Sequence, residues 1–189
     1  VGCQTVHPEP HGAFTGELAA EMAVEAGASW SLVGHSERRH IFGEDDAAVA
    51  ARVGACLRAG LRPMVCVGET LEERRSGRLE EVLRRQVEAV LPHLGEVPAD
   101  AWAIAYEPVW AIGTGETASP TDAEEAHAFV ARVLEAAGSP VPPILYGGSV
   151  KPGNAEELLA AAGVGGVLVG GASLDPADFH EIARAAGPG

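Results

Sequence analysis

Short apolar stretches of strand length alternate with amphipathic stretches of helix length along the whole chain, and this alternation constrains the fold more than any other feature. The pattern predicts a strand tail ending near Cys3 and five full strands, at residues 30–34, 62–67, 102–106, 143–146 and 167–169. Helices are predicted at residues 17–26, from Asp45, at 78–93, from Ser119-Pro120, at 155–162 and from Asp175-Pro176; their apolar stripes include Met22 and Phe179. A repeat of about thirty residues in this order predicts an α/β fold with a parallel sheet, either an open doubly wound layer or a closed (β/α)8 barrel.

Composition narrows the classes of protein that this chain can belong to. Its 189 residues, 47% of them hydrophobic, suffice for one sizeable core, and we expect a single domain over residues 1–189. Thirteen basic and 27 acidic residues give a net charge of -14, which argues against binding to nucleic acid or to a membrane surface. Three cysteines, without metal-site spacing or an even count, fit a reducing cytoplasm.

The stretch from Trp102 to Thr117 carries the strongest candidate for chemistry. A short apolar run ends at Glu107, which is followed by Pro108 and then by an apolar loop that ends in Gly113-Thr114-Gly115. A glycine-flanked apolar loop next to a carboxylate is typical of a lid that covers the acid. The alternative is a buried connection that follows a surface glutamate.

His35 directly follows the predicted strand at 30–34, so it belongs at the same end of the sheet as Glu107. Proton transfer beside a carbonyl needs a base and a donor that polarises the oxygen, and these two residues supply both. Ser36 is predicted to cap the following turn, whose N–H groups would keep the imidazole neutral. Alternatively, His35 is a hydrogen-bonded residue at the rim of the sheet. No metal site is expected, because His7 with His11 and His35 with His40 lack a third ligand.

Glycine pairs follow the last two predicted strands, as Gly147-Gly148-Ser149 and Gly170-Gly171. Glycines at such places let backbone N–H groups approach an anion, and the loops after the last two strands of a (β/α)8 barrel are its usual phosphate site. Tight turns would use the same residues, so each pair alone is a weak signal.

Five segments together resemble the triosephosphate isomerase family in their order and spacing. They are Gly12-Ala13-Phe14-Thr15-Gly16-Glu17, Val33-Gly34-His35-Ser36-Glu37-Arg38-Arg39, residues 105–115 around Glu107, Tyr146-Gly147-Gly148-Ser149-Val150 and Val169-Gly170-Gly171-Ala172-Ser173-Leu174. The resemblance implies a parallel (β/α)8 TIM barrel, of which about six strands are represented here. The N-terminal βα units are expected to be missing.

The resemblance also implies an activity: interconversion of D-glyceraldehyde 3-phosphate and dihydroxyacetone phosphate through an enediolate, in glycolysis and gluconeogenesis, without metal or organic cofactor. Glu107 would be the base and His35 the neutral electrophile. The residues implied to bind phosphate are Gly113, Ser149, Gly170 and Gly171, and those implied to support the site are Ser36, Glu37 and Tyr146. Tyr146 and Ser149 would latch the closed lid. A homodimer is implied, formed through the loop from His7 to Gly16 with Thr15 reaching toward the neighbouring site.

Three departures from the family pattern qualify these expectations. Gln4-Thr5 stands where the family has Gln-Asn, the lid carries Glu116 where a basic residue is common, and the Asn-x-Lys motif at the end of the first strand is missing. The only lysine is Lys151. We therefore expect the chain as given to be weakly active or inactive. Two alternatives stay open: another phosphate-binding barrel enzyme, which would need a Schiff-base lysine, a metal or a second pocket, and a non-catalytic module that associates through the loop at residues 5–16.

Overall fold

A computed structural model describes residues 1–94, 96–112 and 117–187. Five parallel strands form one sheet in the order of the sequence: β1 (Gly2–Cys3), β2 (Trp30–Val33), β3 (Arg62–Val67), β4 (Ala103–Tyr106) and β5 (Ile144–Tyr146). The helices are α1 (Ala20–Glu25), α2 (Ser36–His40), α3 (Asp46–Ala59), α4 (Leu71–Arg75), α5 (Leu79–Leu94), α6 (Pro120–Ala136), α7 (Pro152–Ala160) and α8 (Pro176–Ala185). The α/β class with a parallel sheet is confirmed.

The register of the sheet brings the carboxyl ends of the central strands together. Strands β2 and β3 pair as far as Val33 and Val65, and β3 and β4 pair as far as Val67 and Tyr106. Tyr106 also pairs with Tyr146 at the end of β5. Side chains that follow these strands therefore meet at one edge of the sheet.

The predicted sixth strand follows β5 but forms only an isolated bridge, between Tyr146 and Val167. Its backbone remains hydrogen-bonded to β5, because Gly165 N–H donates to Ile144 O at 2.8 Å and Leu168 N–H donates to Tyr146 O at 2.9 Å. Two glycines precede Val167, and glycine weakens a strand because it has no side chain to pack. The path was predicted correctly, whereas the length of the regular strand was not.

Most helix boundaries follow the capping residues that the sequence shows. Asp45 accepts a hydrogen bond from Ala48 N–H at 2.8 Å at the start of α3, and Gly60, with φ of 84°, ends that helix in the left-handed conformation. Ser119, which precedes Pro120, forms a capping box with Asp122 at the start of α6. Asp175 caps α8 by accepting a hydrogen bond from Ala177 N–H at 2.8 Å.

The structure differs from the predictions at α1 and α8 and adds two short helices. Helix α1 begins only at Ala20, because His7 N–H donates to Leu18 O at 2.7 Å and holds this stretch extended. Met22 and Phe179 are 55% and 47% exposed, so the prediction that they face the core is wrong. The short helices α2 and α4 were not predicted, since five residues are too few to show an apolar stripe.

The core lies between the sheet and the helices. Helix α5 contributes its whole apolar stripe, which comprises Leu79, Val82, Leu83, Val87, Val90 and Leu94. Each of these side chains is nearly or fully buried, and burying one contributes roughly 1.5–3 kcal/mol. Trp102, Tyr106 and Tyr146 are the largest fully buried side chains. Within the described residues, no helix combines the length and hydrophobicity that a membrane span requires.

Candidate active site

Glu107 is the first residue after β4, and the backbone holds it tightly. Its N–H donates to Val67 O at 2.7 Å, which extends the pairing of β3 with β4. A Cβ atom at Gly68 would lie 1.8 Å from Glu107 O, so glycine is required there for the two strand ends to approach. Glu107 is 2% exposed. The predicted base therefore lies in a buried position with a fixed backbone.

Two groups from the end of β2 bind the Glu107 carboxylate. Oε1 lies 3.0 Å from His35 Nε2, and Oε2 accepts a hydrogen bond from Ser36 N–H at 2.9 Å. The structure thus brings Glu107 to the adjacent residues His35 and Ser36, although Ser36 and Glu107 are 71 positions apart in the sequence. A carboxylate and an imidazole in direct contact can act as a base and a hydrogen-bond donor toward one substrate.

His35 itself is the N-cap of α2, and this corrects the prediction that Ser36 caps the turn. The imidazole Nδ1 accepts a hydrogen bond from Glu37 N–H at 3.3 Å. Ser36 is the first helical residue, and the Glu107 carboxylate occupies its N–H. Serine is the commoner capping residue, so the sequence alone favoured it. A ring nitrogen performs the same function here, because the chain turns at Gly34.

The ionisation of His35 is subject to opposing influences. The hydrogen bond to Glu107 and the charge of that carboxylate raise the pKa of His35, with a smaller contribution from Glu37, while burial lowers it. The contact of Glu37 N–H with Nδ1 favours the neutral ring with its proton on Nε2, since a protonated Nδ1 would face another donor. The raised pKa thus depends on Glu107 staying beside the ring.

Glu69, which follows β3 closely, was not chosen as a site residue from the sequence. It is fully buried, and its Oε1 accepts hydrogen bonds from Tyr106 Oη at 3.1 Å and from Trp110 Nε1 at 2.8 Å. Burial raises the pKa of Glu69, and these hydrogen bonds oppose the shift. Residues Val109–Ala111, the first part of the predicted lid, form a 3-10 turn that is anchored here. Gly113-Thr114-Gly115 and Glu116 lie outside the described residues.

Gln86 also holds part of the site in place, and this role was not predicted from the sequence. Its amide binds Gly68 from both sides: Oε1 accepts from Gly68 N–H at 2.8 Å, and Nε2 donates to Gly68 O at 3.2 Å. Gln86 therefore fixes the residue that lies against Glu107 O. The available signal was a polar residue within the apolar stripe of α5.

The residues predicted to bind phosphate lie beyond β5 and are more accessible. Ser149 is half-buried and its carbonyl accepts a hydrogen bond from Asn154 Nδ2 at 3.0 Å. Gly170 and Gly171 are exposed, and a Cβ atom at either would meet no atom within 4 Å. Internal packing therefore does not require glycine at these two positions. Gly113 lies outside the described residues.

Tyr146, the last residue of β5, is buried beside the phosphate candidates. A Cβ atom at Gly148 would lie 2.2 Å from Tyr146 Oη, so glycine is needed for the hydroxyl to fit. Burial raises the pKa of Tyr146 to about 12, and the Ala118 backbone opposes this shift. The hydroxyl therefore lies close to the chain just before α6.

The loop from His7 to Gly16, predicted to mediate dimer formation, projects as an ordered but exposed segment. The His7 and Phe14 rings pack with centroids 4.0 Å apart, and Arg58 Nη2 donates to Pro8 O at 2.9 Å. Thr15 is exposed, like the residues around it. Across residues 1–94, 96–112 and 117–187, no cluster of three or more His, Cys, Asp or Glu is arranged to hold a metal ion.

Comparisons with known proteins identify the family of this chain. The sequence model of the family described as "Triosephosphate isomerase" matches residues 1–186. Proteins of that name from Alkalilimnicola ehrlichii and Nitratidesulfovibrio vulgaris (strain DSM 19637 / Miyazaki F) are 54% and 51% identical; the alignments cover 100% and 96% of this chain and 76% and 74% of those proteins.

A solved structure gives the same result. The crystal structure of triosephosphate isomerase from Bartonella henselae superposes with a TM-score of 0.88 at 46% identity, over 97% of this chain and 76% of the other. That neighbour supports the TIM-barrel architecture, of which this chain spans part. Sequence, fold and the match over nearly all of its residues show that the chain belongs to the triosephosphate isomerase family.

Proposed function

We propose that this chain interconverts D-glyceraldehyde 3-phosphate and dihydroxyacetone phosphate, with Glu107 as the base and His35 as the hydrogen-bond donor to the substrate oxygens. One observation carries the assignment of roles: Glu107 Oε1 and His35 Nε2 lie 3.0 Å apart at the carboxyl ends of the parallel strands, in a chain of this family. The reaction moves a proton between adjacent carbons and involves no net oxidation. In keeping with the family, the proposal includes neither metal nor organic cofactor.

Glu107 would act after releasing its present partners. In the structure His35 Nε2 and Ser36 N–H occupy its two oxygens, so the carboxylate has to leave at least one of them to reach a substrate carbon. It would then take the proton from the carbon next to the carbonyl, forming an enediolate, and return it to the neighbouring carbon. A buried carboxylate that gives up hydrogen bonds is a stronger base than a solvated one.

His35 would become the donor at the moment when Glu107 departs. The Glu107 carboxylate is the main cause of the raised pKa of His35, so its departure returns that pKa toward the ordinary value. The Glu37 N–H stays directed at Nδ1 and keeps the proton on Nε2. A neutral Nε2–H then donates to the oxygen on which charge develops.

The phosphate would bind at Ser149, Gly170 and Gly171, with Gly113 as a fourth contact. Supporting this proposal, the two glycines after the bridge at Val167 are exposed and have open space around them, so backbone N–H groups there are accessible to an anion. Tyr146, whose hydroxyl lies near Ala118, would hold the chain that follows the lid. The acidic net charge does not exclude such a site, because close amide dipoles outweigh a screened surface field.

The proposal extends to assembly and location. We infer a single domain over residues 1–189 and a homodimer through the loop from His7 to Gly16, in which Thr15 extends toward the neighbouring subunit. The exposure of this loop supports that inference. We also infer a cytoplasmic location, which three free thiols support, at Cys3, Cys56 and Cys66, two of them buried.

Isomerisation in deuterium oxide tests the proposed chemistry. An enediolate mechanism with a single carboxylate base predicts that the product carries solvent deuterium on the carbon next to the carbonyl, because the proton on Glu107 exchanges before its return. The protein is assayed as it occurs in the cell, with NMR detection of both triose phosphates. Isomerisation without any deuterium uptake would point to direct hydride transfer. Absence of both would favour the non-catalytic association module.

A further inference from the structure

Arg39, near the end of α2, directs its guanidinium group back toward the strand ends instead of toward solvent. Its Nε–H donates to Gly34 O at 2.9 Å, Nη2–H donates to Cys66 O at 3.2 Å and Nη1–H donates to Asp46 Oδ1 at 2.7 Å. The side chain is only 9% exposed. All three guanidinium nitrogens therefore donate hydrogen bonds, two of them to backbone carbonyls at the ends of neighbouring strands.

The two carbonyls occupy a particular position in the sheet. The pairing of β2 with β3 ends at Val33 and Val65, so continuing the same register would place Gly34 opposite Cys66. The chain turns away at Gly34, where φ is 73°, and the backbone ladder stops. The guanidinium contacts the carbonyls of these two residues and so bridges the strands at the point where the backbone no longer does.

This bridge adjoins the proposed proton-transfer pair in the sheet. His35 comes two residues after the end of β2, and Glu107 comes directly after β4. Strand β3 lies between these two strands. On one side of β3, Glu107 N–H binds Val67 O at 2.7 Å. On the other side, Arg39 binds Cys66 O and Gly34 O. The distance between the imidazole and the carboxylate therefore depends on both junctions.

We propose that Arg39 is a positioning residue for the proton-transfer pair: by joining the end of β2 to the end of β3, its guanidinium sets the contact between His35 and Glu107. This inference rests on the proposed function. Neighbouring Arg38 has a different role, since it binds the buried Glu44. Lysine cannot replace Arg39 fully, because one ammonium lacks the planar fork that reaches separate acceptors.

Two variants separate positioning from charge. Arg39→Met removes both the fork and the charge, whereas Arg39→Lys keeps the charge without the fork. If Arg39 positions the pair, both variants loosen the contact with Glu107, and the pKa of His35, measured by NMR titration of its ring, falls in both. If Arg39 acts only as a nearby positive charge, that pKa rises in Arg39→Met and does not change in Arg39→Lys. Glu107 and Glu37 are the charged groups that act on this ring.

Kinetics provide the second readout. We expect kcat to fall by about tenfold or more in Arg39→Met and by less in Arg39→Lys, with a smaller change in KM, because small misplacements of reacting groups are costly. The control is Arg85→Met, which removes only the outer partner of Asp46, at 3.6 Å, and leaves both carbonyl contacts intact. It should leave kcat and the pKa of His35 unchanged.

Three outcomes decide the proposal. A folded Arg39→Met or Arg39→Lys protein with an unchanged pKa of His35 and unchanged kcat overturns it, even if its melting temperature falls. If Arg39→Met does not fold, Arg39→Lys gives the decision through the same titration. Because the titration requires no turnover, a lowered pKa in a protein that never isomerises triose phosphate supports the positioning role and counts against the proposed function alone.

Discussion

The two halves of the candidate site are built differently. On the proton-transfer side (His35, Ser36 and Glu107), backbone and side-chain contacts of 2.7–3.3 Å hold every group, and Glu107 is 2% exposed. On the phosphate side (Ser149, Gly170 and Gly171), the two glycines are exposed, and a Cβ atom added to either would have no neighbour within 4 Å. The structure is preorganised where we propose that a proton moves and open where we propose that an anion binds.

This difference agrees with the chemistry proposed for each half. Proton transfer needs atoms within hydrogen-bonding reach, so the base and its donor require a rigid frame around them. A phosphate enters from solvent and is bound by several backbone N–H groups, which need accessible space. Substitutions should therefore affect turnover on the first side and substrate affinity on the second.

Removing the base should give the largest effect. Glu107→Gln keeps the shape of the side chain and an oxygen that can accept the Ser36 hydrogen bond, but it cannot accept a proton. We expect turnover to fall by at least about a hundredfold with little change in the unfolding transition, the low end of the effect of losing a positioned general base. The matched control is Glu72→Gln on exposed α4, which should leave turnover unchanged. Near-normal turnover of Glu107→Gln would reject Glu107 as the base.

One substitution placed on both sides tests the difference in rigidity. Gly68→Ala places a Cβ atom 1.8 Å from Glu107 O, so the strand ends must separate, whereas Gly171→Ala meets open space. Urea unfolding should show a loss of about 2–3 kcal/mol or more for Gly68→Ala. Gly171→Ala should change the free energy of unfolding by less than about 0.5 kcal/mol. Equal losses in the two variants would mean that both halves are equally tightly packed.

Gly171→Ala should nevertheless weaken substrate binding. The added methyl group occupies space through which the phosphate would approach the backbone N–H groups. Losing one hydrogen bond to a charged group costs about 1.5–3 kcal/mol, so KM should rise about tenfold or more while the fold is retained. Steady-state kinetics measure this directly. An unchanged KM would show that the phosphate does not bind against residue 171.

Most of the scaffold could be predicted from the sequence because its signals are local. The bounds of β3 agree with the apolar run at residues 62–67, and α3, α6 and α8 begin at the capping residues that the sequence shows. The approach of His35 to Glu107 was anticipated because parallel strands end at one edge. The missed helix α4 did carry a local signal, the capping box of Thr70 and Glu73.

What could not be predicted depends on contacts between distant residues. Glu107 binds Ser36 N–H across 71 positions of the chain, and this contact, with His35 as the cap, reverses the expected roles at the start of α2. The hydrogen bonds of Gln86 with Gly68 and of Arg39 with Cys66 could not be predicted either, because the spacing of apolar residues does not show which residues a polar side chain contacts. Hydrophobic spacing identifies elements, while the polar contacts that complete the site appear only in three dimensions.

His35, on the proton-transfer side, and His127, a buried histidine of α6, respond oppositely to acid. The pKa of His35 is raised mainly by the Glu107 hydrogen bond. His127 lies in α6, and its Nδ1 contacts Gly163 O at 3.0 Å in the loop between α7 and the bridge at Val167. His127 is 1% exposed, its Nε2 has no hydrogen-bond partner among the described residues, and burial lowers its pKa. Acid should therefore increase the contribution of His35 to stability and decrease that of His127.

The smallest expected effect is the pH dependence of unfolding, and its sign differs between the two histidines. The stabilisation from His35 is complete below its unfolded pKa of about 6.5 and is lost as pH rises through its raised folded value. The variant His35→Gln lacks this gain at low pH, so between pH 8 and pH 5 it should lose more stability than the parent chain. The contribution of His127 is present above about 6.5 and is lost as pH falls toward its lowered folded value, so His127→Gln should lose less. The size of each change follows from the shift, at about 1.4 kcal/mol for each unit of pKa. Urea unfolding of the parent and both variants at each pH measures the slopes, and since each variant is compared with itself across pH, lost packing cancels. Parallel curves for all three proteins would mean that neither ring is coupled to folding as its surroundings imply.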